Sequence, residues 1–303
     1  MALDRHTNRE CILKRAAPEA DLLSINELLT ESFLCQARIR SRVVVTARRK
    51  FIDNQRVTIE YQRLDAERWQ VLSPTAFWSS FPQSLIQVCA IVDYLHSCEV
   101  VHGDLKLENF LILNSHEGSR LALVDFDFAC QDNSKPKARL FGTPDHIAPE
   151  VVANECVVTQ SDGYSLGVSL RRYLGTPNEE MLRNESSWAT TRRRLLAFSD
   201  ALCREDYFAR PANLLQALHD HELVSQKELD STHRELLSRI LLSQWRLARF
   251  RGSIDASDLK KLVVSRGKVL GVHDELLDLI ASALVRNRRE VFRKLGETLR
   301  ACS

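Results

Sequence analysis

No glycine precedes Gly103, and the 303-residue chain holds only ten in all. A glycine-rich turn, whose backbone N–H groups could cradle phosphates, therefore has no candidate in the first third of the chain. The eight cysteines include no C-x-x-C pair and sit mostly among apolar neighbours. A reduced thiol there packs as a small hydrophobe, so neither a disulfide framework nor a zinc site is expected. Net charge is nearly absent: 42 Lys/Arg against 40 Asp/Glu leave +2, far from the basic signature of a dedicated nucleic-acid binder. That balance is uneven, because 16 Lys/Arg meet only 10 Asp/Glu from Leu223 onward. No apolar run approaches the ~20 residues of a membrane span. The first residues also lack the apolar stretch of a secretory signal. An intracellular setting, cytoplasmic or nuclear, is the expectation. What the chain does have, at 44% hydrophobic, is enough apolar material for a sizeable core.

There is no internal repeat. Arg9–Arg15 reads as a short strand, and Glu19–Ala37 as a helix with Leu22, Ile25, Leu28, Leu29 and Phe33 on one face. Two strand-like runs, Arg42–Ala47 and Arg56–Gln62, are joined by a turn at Asp53-Asn54. Pro82 opens a strong helix to Ser97. Short apolar strands, Phe110–Leu113 and Leu121–Val124, then bracket a loop at Asn114–Arg120, and the remainder is mainly helical. A small strand-rich part thus precedes a larger helical part, with a boundary near Leu64–Pro74.

The densest chemical signal is the run His102-Gly103-Asp104-Leu105-Lys106-Leu107-Glu108-Asn109, followed by Asp125 in Val124-Asp125-Phe126-Asp127. An Asp, a Lys two residues on, an Asn five residues on and a strand-terminal Asp suit phosphoryl transfer. One carboxylate can accept the proton of an attacking hydroxyl, while the Asn oxygen and the second carboxylate can hold Mg²⁺ against ATP phosphates. The Lys can neutralise the moving phosphoryl group.

These residues resemble the eukaryotic-type protein kinase family. Its H-R-D-x-K-x-x-N matches His102 to Asn109 with Gly103 in place of Arg, and its D-F-G matches Asp125-Phe126-Asp127. Its G-T-x-x-x-x-A-P-E is intact from Gly142 to Glu150. Its D-x-x-S-x-G runs from Asp162 to Gly167, and Arg210 matches the late Arg that pairs with the Glu of A-P-E. The resemblance implies an α+β, two-lobed protein kinase-like fold. It would have a reduced strand-rich N-lobe (1–64), a helical C-lobe (65–223) and a helical C-terminal extension (224–303).

It also implies roles. Asp104 would be the catalytic base, and Lys106 would contact the transferring phosphoryl group and favour a Ser/Thr acceptor on a protein substrate. Asn109 and Asp125 would be ligands of Mg²⁺, with Mn²⁺ as a substitute, and ATP the phosphoryl donor. Lys14 would grip the α/β-phosphates and pair with an acid on the next helix, where Glu31 fits better than Glu27. Glu60 to Gln62 would border the adenine edge at the hinge.

Three features depart from the family. No glycine-rich loop precedes Lys14, Gly103 removes the Arg that reads activation-loop phosphorylation, and Asp127 replaces the flexible Gly of D-F-G. The first and third motivate an alternative, a pseudokinase acting as a scaffold or allosteric partner. A second alternative is a small-molecule phosphotransferase of the aminoglycoside or choline kinase type, which shares the His-Gly-Asp and Asp-Phe-Asp pattern. Lys106, the segment ending in Glu150, the Asp162–Gly167 helix start and Arg210 favour the protein kinase side. Beyond the resemblance, Leu229–Ala248 and Asp274–Leu299 read as amphipathic helices with basic polar faces. They suit either a docking surface for a partner or, as the plainer expectation, an extension packed on the large lobe.

Overall fold

The computed structural model describes residues 2–4, 9–15, 22–39, 44–45, 47–64, 68–115, 118–135, 143–176 and 185–233. The two basic helices expected after 228 lie outside these residues apart from 229–233, as does Gly142. The fold is the expected two-lobed, α+β protein kinase-like one. Among the described residues its N-lobe is one antiparallel sheet with a single helix against it. Strand β1 (Ala2–Asp4) pairs with β2 (Arg9–Arg15), β2 with β4 (Arg56–Gln62), and β4 with β3 (Ala47–Asp53). Helix α1 (Leu22–Arg38) lays Leu29 on Val57 and Ile59, the small buried cluster of this lobe. The amide of Asn26 fixes the helix further, donating to the Gln55 carbonyl at 2.8 Å and accepting from Val57 N at 2.7 Å.

The C-lobe starts with β5 (Trp69–Val71), α2 (Pro74–Ser79) and α3 (Gln83–Ser97). Helix α3 is buried nearly all round, as an apolar helix in the middle of a large core must be. Its Asp93 accepts from Leu214 N and Leu215 N, each at 2.9 Å, and so caps the helix Leu214–Asp220. Strand β6 (Val100–Val101) pairs with β9 (Cys130–Gln131), and the hairpin β7 (Phe110–Ser115) and β8 (Gly118–Leu123) joins β5 in a three-stranded sheet. After α4 (Pro149–Val152), α5 (Thr159–Leu174) crosses the helix Glu185–Leu202 at Gly167. A Cβ there would stand 2.7 Å from Cys203 Sγ, so the crossing needs a glycine. No helix among the described residues is long and apolar enough to cross a membrane.

The elements differ from the sequence reading at four places. The strand expected at Arg42–Ala47 meets β3 only at Ala47, and the exposed residues of β3 include Arg48, Arg49 and Lys50. Strand β3 is the sheet's edge, where charge is favoured because it discourages pairing with another chain, so a polar run is no bar to a strand. The turn itself is two residues, Asn54 and Gln55, with φ of 48° and 63°, as a tight hairpin requires. The hairpin β7–β8 extends through Ser115↔Gly118, leaving a far shorter loop than Asn114–Arg120. The expected boundary near Leu64–Pro74 holds a strand, β5. Finally, β1 supplies a short strand ahead of Lys14 where none was expected.

Candidate active site

The site is carried by one irregular segment between β6 and β7 and by the turn after β8. Asp162, at the start of α5, accepts from the backbone N–H groups of His102 (2.8 Å) and Gly103 (3.0 Å), and His96 Nε2 lies 3.0 Å from it. One buried carboxylate thereby fixes the backbone that presents Asp104. Gly103 has φ 80°, and a Cβ on it would lie 2.5 Å from the Phe128 carbonyl oxygen, so this turn admits no side chain. The His102 ring meets Phe126 edge-on at 4.8 Å, and its Nε2 is 3.0 Å from the Val124 carbonyl.

Asp104 is held on both oxygens. Oδ1 accepts from Thr143 N at 2.8 Å and Thr143 Oγ1 at 3.1 Å, and Oδ2 from Lys106 Nζ at 3.0 Å. Burial alone would push its pKa up. The Lys106 ammonium and the Thr143 N–H outweigh burial, and the carboxyl is held below the ordinary range. Lys106 Nζ also donates to Thr143 Oγ1 at 3.0 Å. Asn109 donates its amide nitrogen to the Asp104 carbonyl at 2.8 Å, which leaves the amide oxygen as its acceptor end. Asn109 O in turn accepts from Val124 N at 3.0 Å, so the β7–β8 hairpin returns Asp125 to the side of Asn109. Asp125 has φ 65°, a left-handed backbone that Asp tolerates, and its carboxylate is 42% exposed.

The N-lobe contributes Lys14 from β2. Its Nζ lies 2.8 Å from Asp125 Oδ1 and forms a second ion pair with Asp127 Oδ2. Burial lowers the Lys14 pKa, but these two carboxylates reverse the effect and leave it raised. Burial pushes the Asp127 carboxyl up, and Lys14 only partly offsets this.

Four of the expected residues, Asp104, Lys106, Asn109 and Asp125, come together with Lys14. Glu31 does not join them. Both ion pairs of Lys14 go to the Asp125–Asp127 turn, and Glu31 instead lines a separate pocket with Leu28, Gly103, Phe128 and Lys135. The rotation of α1 decides this. Asn26 is pinned to the β3–β4 hairpin, Ser32 Oγ donates to the Phe126 carbonyl, and Gln36 Nε2 donates to Tyr61 OH at 3.1 Å. Position 31 is left on the flank of the helix. The adenine edge was expected to meet mainly backbone groups of Glu60 to Gln62, and the Glu60 side chain is not part of that expectation. It is buried inside β4, opposite Leu13, with its carboxylate 2.6 Å from Arg49 Nε. Gln62 ends β4 and leads into the segment that leaves the sheet.

Ser32 and Gln36 were missed by the sequence reading. The available signal was two polar residues one helical turn apart, each three residues after a member of the apolar face, Leu29 and Phe33.

A divalent cation fits the donor set of Asn109 and Asp125. Among the described residues no three His, Cys, Asp or Glu side chains group as a metal site by themselves.

The protein kinase domain model matches residues 1–284, which includes most of the segment after Leu223. Among curated proteins, myosin light chain kinase 2 of Bos taurus is 30% identical over 180 residues, covering 54% of this chain and 29% of that protein. A calcium and calcium/calmodulin-dependent serine/threonine-protein kinase of Lilium longiflorum is 28% identical over 230 residues, covering 69% of this chain and 43% of that protein. A CaM kinase-like vesicle-associated protein of Xenopus laevis is 32% identical over 160 residues, covering 51% of this chain and 37% of that protein. The chain thus matches less than half the length of each of these relatives.

Proposed function

The chain belongs to the protein kinase domain family, and from that premise we propose that it transfers the γ-phosphoryl group of ATP to a Ser or Thr hydroxyl of a protein. The observation that carries this reading is the Asp104 carboxylate, charged at neutral pH and braced by Thr143 and Lys106. A substrate hydroxyl approaching Oδ2 would be oriented by Asp104, which takes its proton as the new O–P bond forms and the bond to the ADP oxygen breaks. Lys106 would stand beside the transferring group as a fixed positive charge. Asn109 and Asp125 would hold Mg²⁺, or Mn²⁺ in its place, and Lys14 would face the phosphates. ATP supplies the phosphoryl group, and the metal offsets its charge. Ser/Thr selectivity is supported by Lys106 and by the similarity to a calcium and calcium/calmodulin-dependent serine/threonine-protein kinase.

A scaffold with weak or no catalysis is the second reading. It is favoured by one observation, the occupation of Lys14 by two carboxylates. Label transfer from γ-labelled ATP, with Mg²⁺ or Mn²⁺, on the protein itself and on a basic Ser/Thr substrate separates the two. Transfer that disappears in Asp104→Asn establishes catalysis. Equal silence from the folded wild type and the variant favours the scaffold.

A further inference from the structure

Asp127 stands where the family has a glycine, and its surroundings give that extra carboxylate a function. Lys14 Nζ is shared between Asp125 Oδ1 at 2.8 Å and Asp127 Oδ2. The other Asp127 oxygen, Oδ1, is buried and has no hydrogen-bond partner. Asp127 cannot easily swing away. Phe126 beside it is fully buried against His102, and the Phe126 carbonyl is held by Ser32. One ammonium between two carboxylates leaves this cluster with a net charge of about −1, so approaching phosphates meet repulsion and an already neutralised lysine. A divalent cation captured by the two carboxylates reverses the sign to about +1 and releases Lys14 toward the phosphates. Asp127 Oδ1 is an oxygen without competing bonds that such a cation can take.

We propose that Asp127 makes nucleotide binding at the Lys14–Asp125 site conditional on a divalent cation, acting as a positioning residue through Lys14 and as an added oxygen for the metal. The inference deepens the reading of these residues as an ATP site and rests on it.

The test is the affinity for a fluorescent ATP analogue, measured in chelator and in Mg²⁺, for the full chain and for Asp127→Asn, Asp127→Glu and the charge control Asp200→Asn. The quantity that matters is the ratio of the two dissociation constants. In Asp127→Asn the metal-free affinity should tighten about tenfold while the Mg²⁺ affinity stays or weakens, as loss of one partly screened charge implies. Asp127→Glu should keep most of the wild-type ratio, and Asp200→Asn all of it. A purely structural role for Asp127 would move both affinities together.

An unchanged ratio in Asp127→Asn overturns the inference while leaving the ATP reading intact. Failure of the wild type to bind the analogue under either condition overturns both. Should Asp127→Asn not fold, Mn²⁺ titration of the nucleotide-free wild type, followed by the loss of free-ion paramagnetic signal, decides the matter. Binding of Mn²⁺ without nucleotide supports the proposal, and no binding overturns it.

Discussion

Arg210 and Glu150, sixty residues apart, close two parallel hydrogen bonds of 2.8 Å with essentially no exposure of either side chain. All five guanidinium N–H groups find acceptors, since Arg210 also donates to the carbonyls of Arg204, Gln160 and Glu205. Tyr164 covers its face at 5.0 Å, and Glu150 accepts a further bond from Ser161 Oγ at 2.6 Å. The pair anchors the segment that carries Thr143 to the C-lobe, and so supports Asp104 indirectly.

Removing one partner strands a buried charge, which costs about 3–5 kcal/mol. Arg210→Met should therefore lower unfolding stability in urea by that order. By contrast, Arg171→Ala, which breaks the exposed pair with Asp200, should cost less than about 1 kcal/mol. Similar losses from both substitutions would show that the buried pair carries no special weight.

For the chemical step, Asp104→Asn keeps the shape of the side chain and removes its ability to take a proton. Transfer should fall by about 10²–10⁴-fold, the usual contribution of a positioned base, with the melting temperature little changed. Lys106 matters in a different way. Lys106→Met removes the ammonium that holds the Asp104 pKa down. The acidic limb of the rate profile should then move to higher pH, which a pH series on both proteins would reveal. Coincident acidic limbs would mean that Asp104 is not the group titrating.

The spacing of Asp104, Lys106, Asn109 and Asp125 was legible in the sequence because local structure fixes it. The first three share one short loop, and the β7–β8 hairpin sets the distance to the fourth through its register. Glu31 was not legible. Its periodicity placed it correctly on a helix, but the helix's rotation is set by Asn26, Ser32 and Gln36, each bonded to a residue distant in sequence. The ion pair of Glu60 was not legible for a similar reason. Alternation found its strand, yet only cross-strand register shows that Arg49 occupies its carboxylate. Strand β3 escaped because its charged residues suit an exposed edge better than the apolar Val43-Val44-Val45 run suggested.

Gly103 stands where the family has Arg, and restoring a side chain should do harm. The backbone there is left-handed, which costs a non-glycine residue about 1–2 kcal/mol, and the added Cβ would collide with the Phe128 carbonyl. Gly103→Ala should therefore destabilise the protein by about 2 kcal/mol or more, readable as a lowered urea midpoint at unchanged slope. A neutral Gly103→Ala would show that the turn relaxes and that this position is open to a larger residue.

Asp93 gives the fold a pH dependence of definite sign. Burial raises its carboxyl to about 6, and the N–H groups of Leu214 and Leu215 only partly restrain the shift. In the unfolded chain the same group titrates near 3.9. The folded state therefore holds a proton that the unfolded state has released between these two values. The stabilisation is complete below about pH 4 and is lost as pH rises through about 6, amounting to roughly 3 kcal/mol over the window. Asp104, whose pKa is lowered, acts in the opposite sense and only below that window. Asp93→Asn keeps one oxygen acceptor for the helix cap but cannot titrate. Its stability relative to wild type should thus rise from pH 4.5 to pH 7. Parallel stability curves across that range would place the titration of Asp93 outside it.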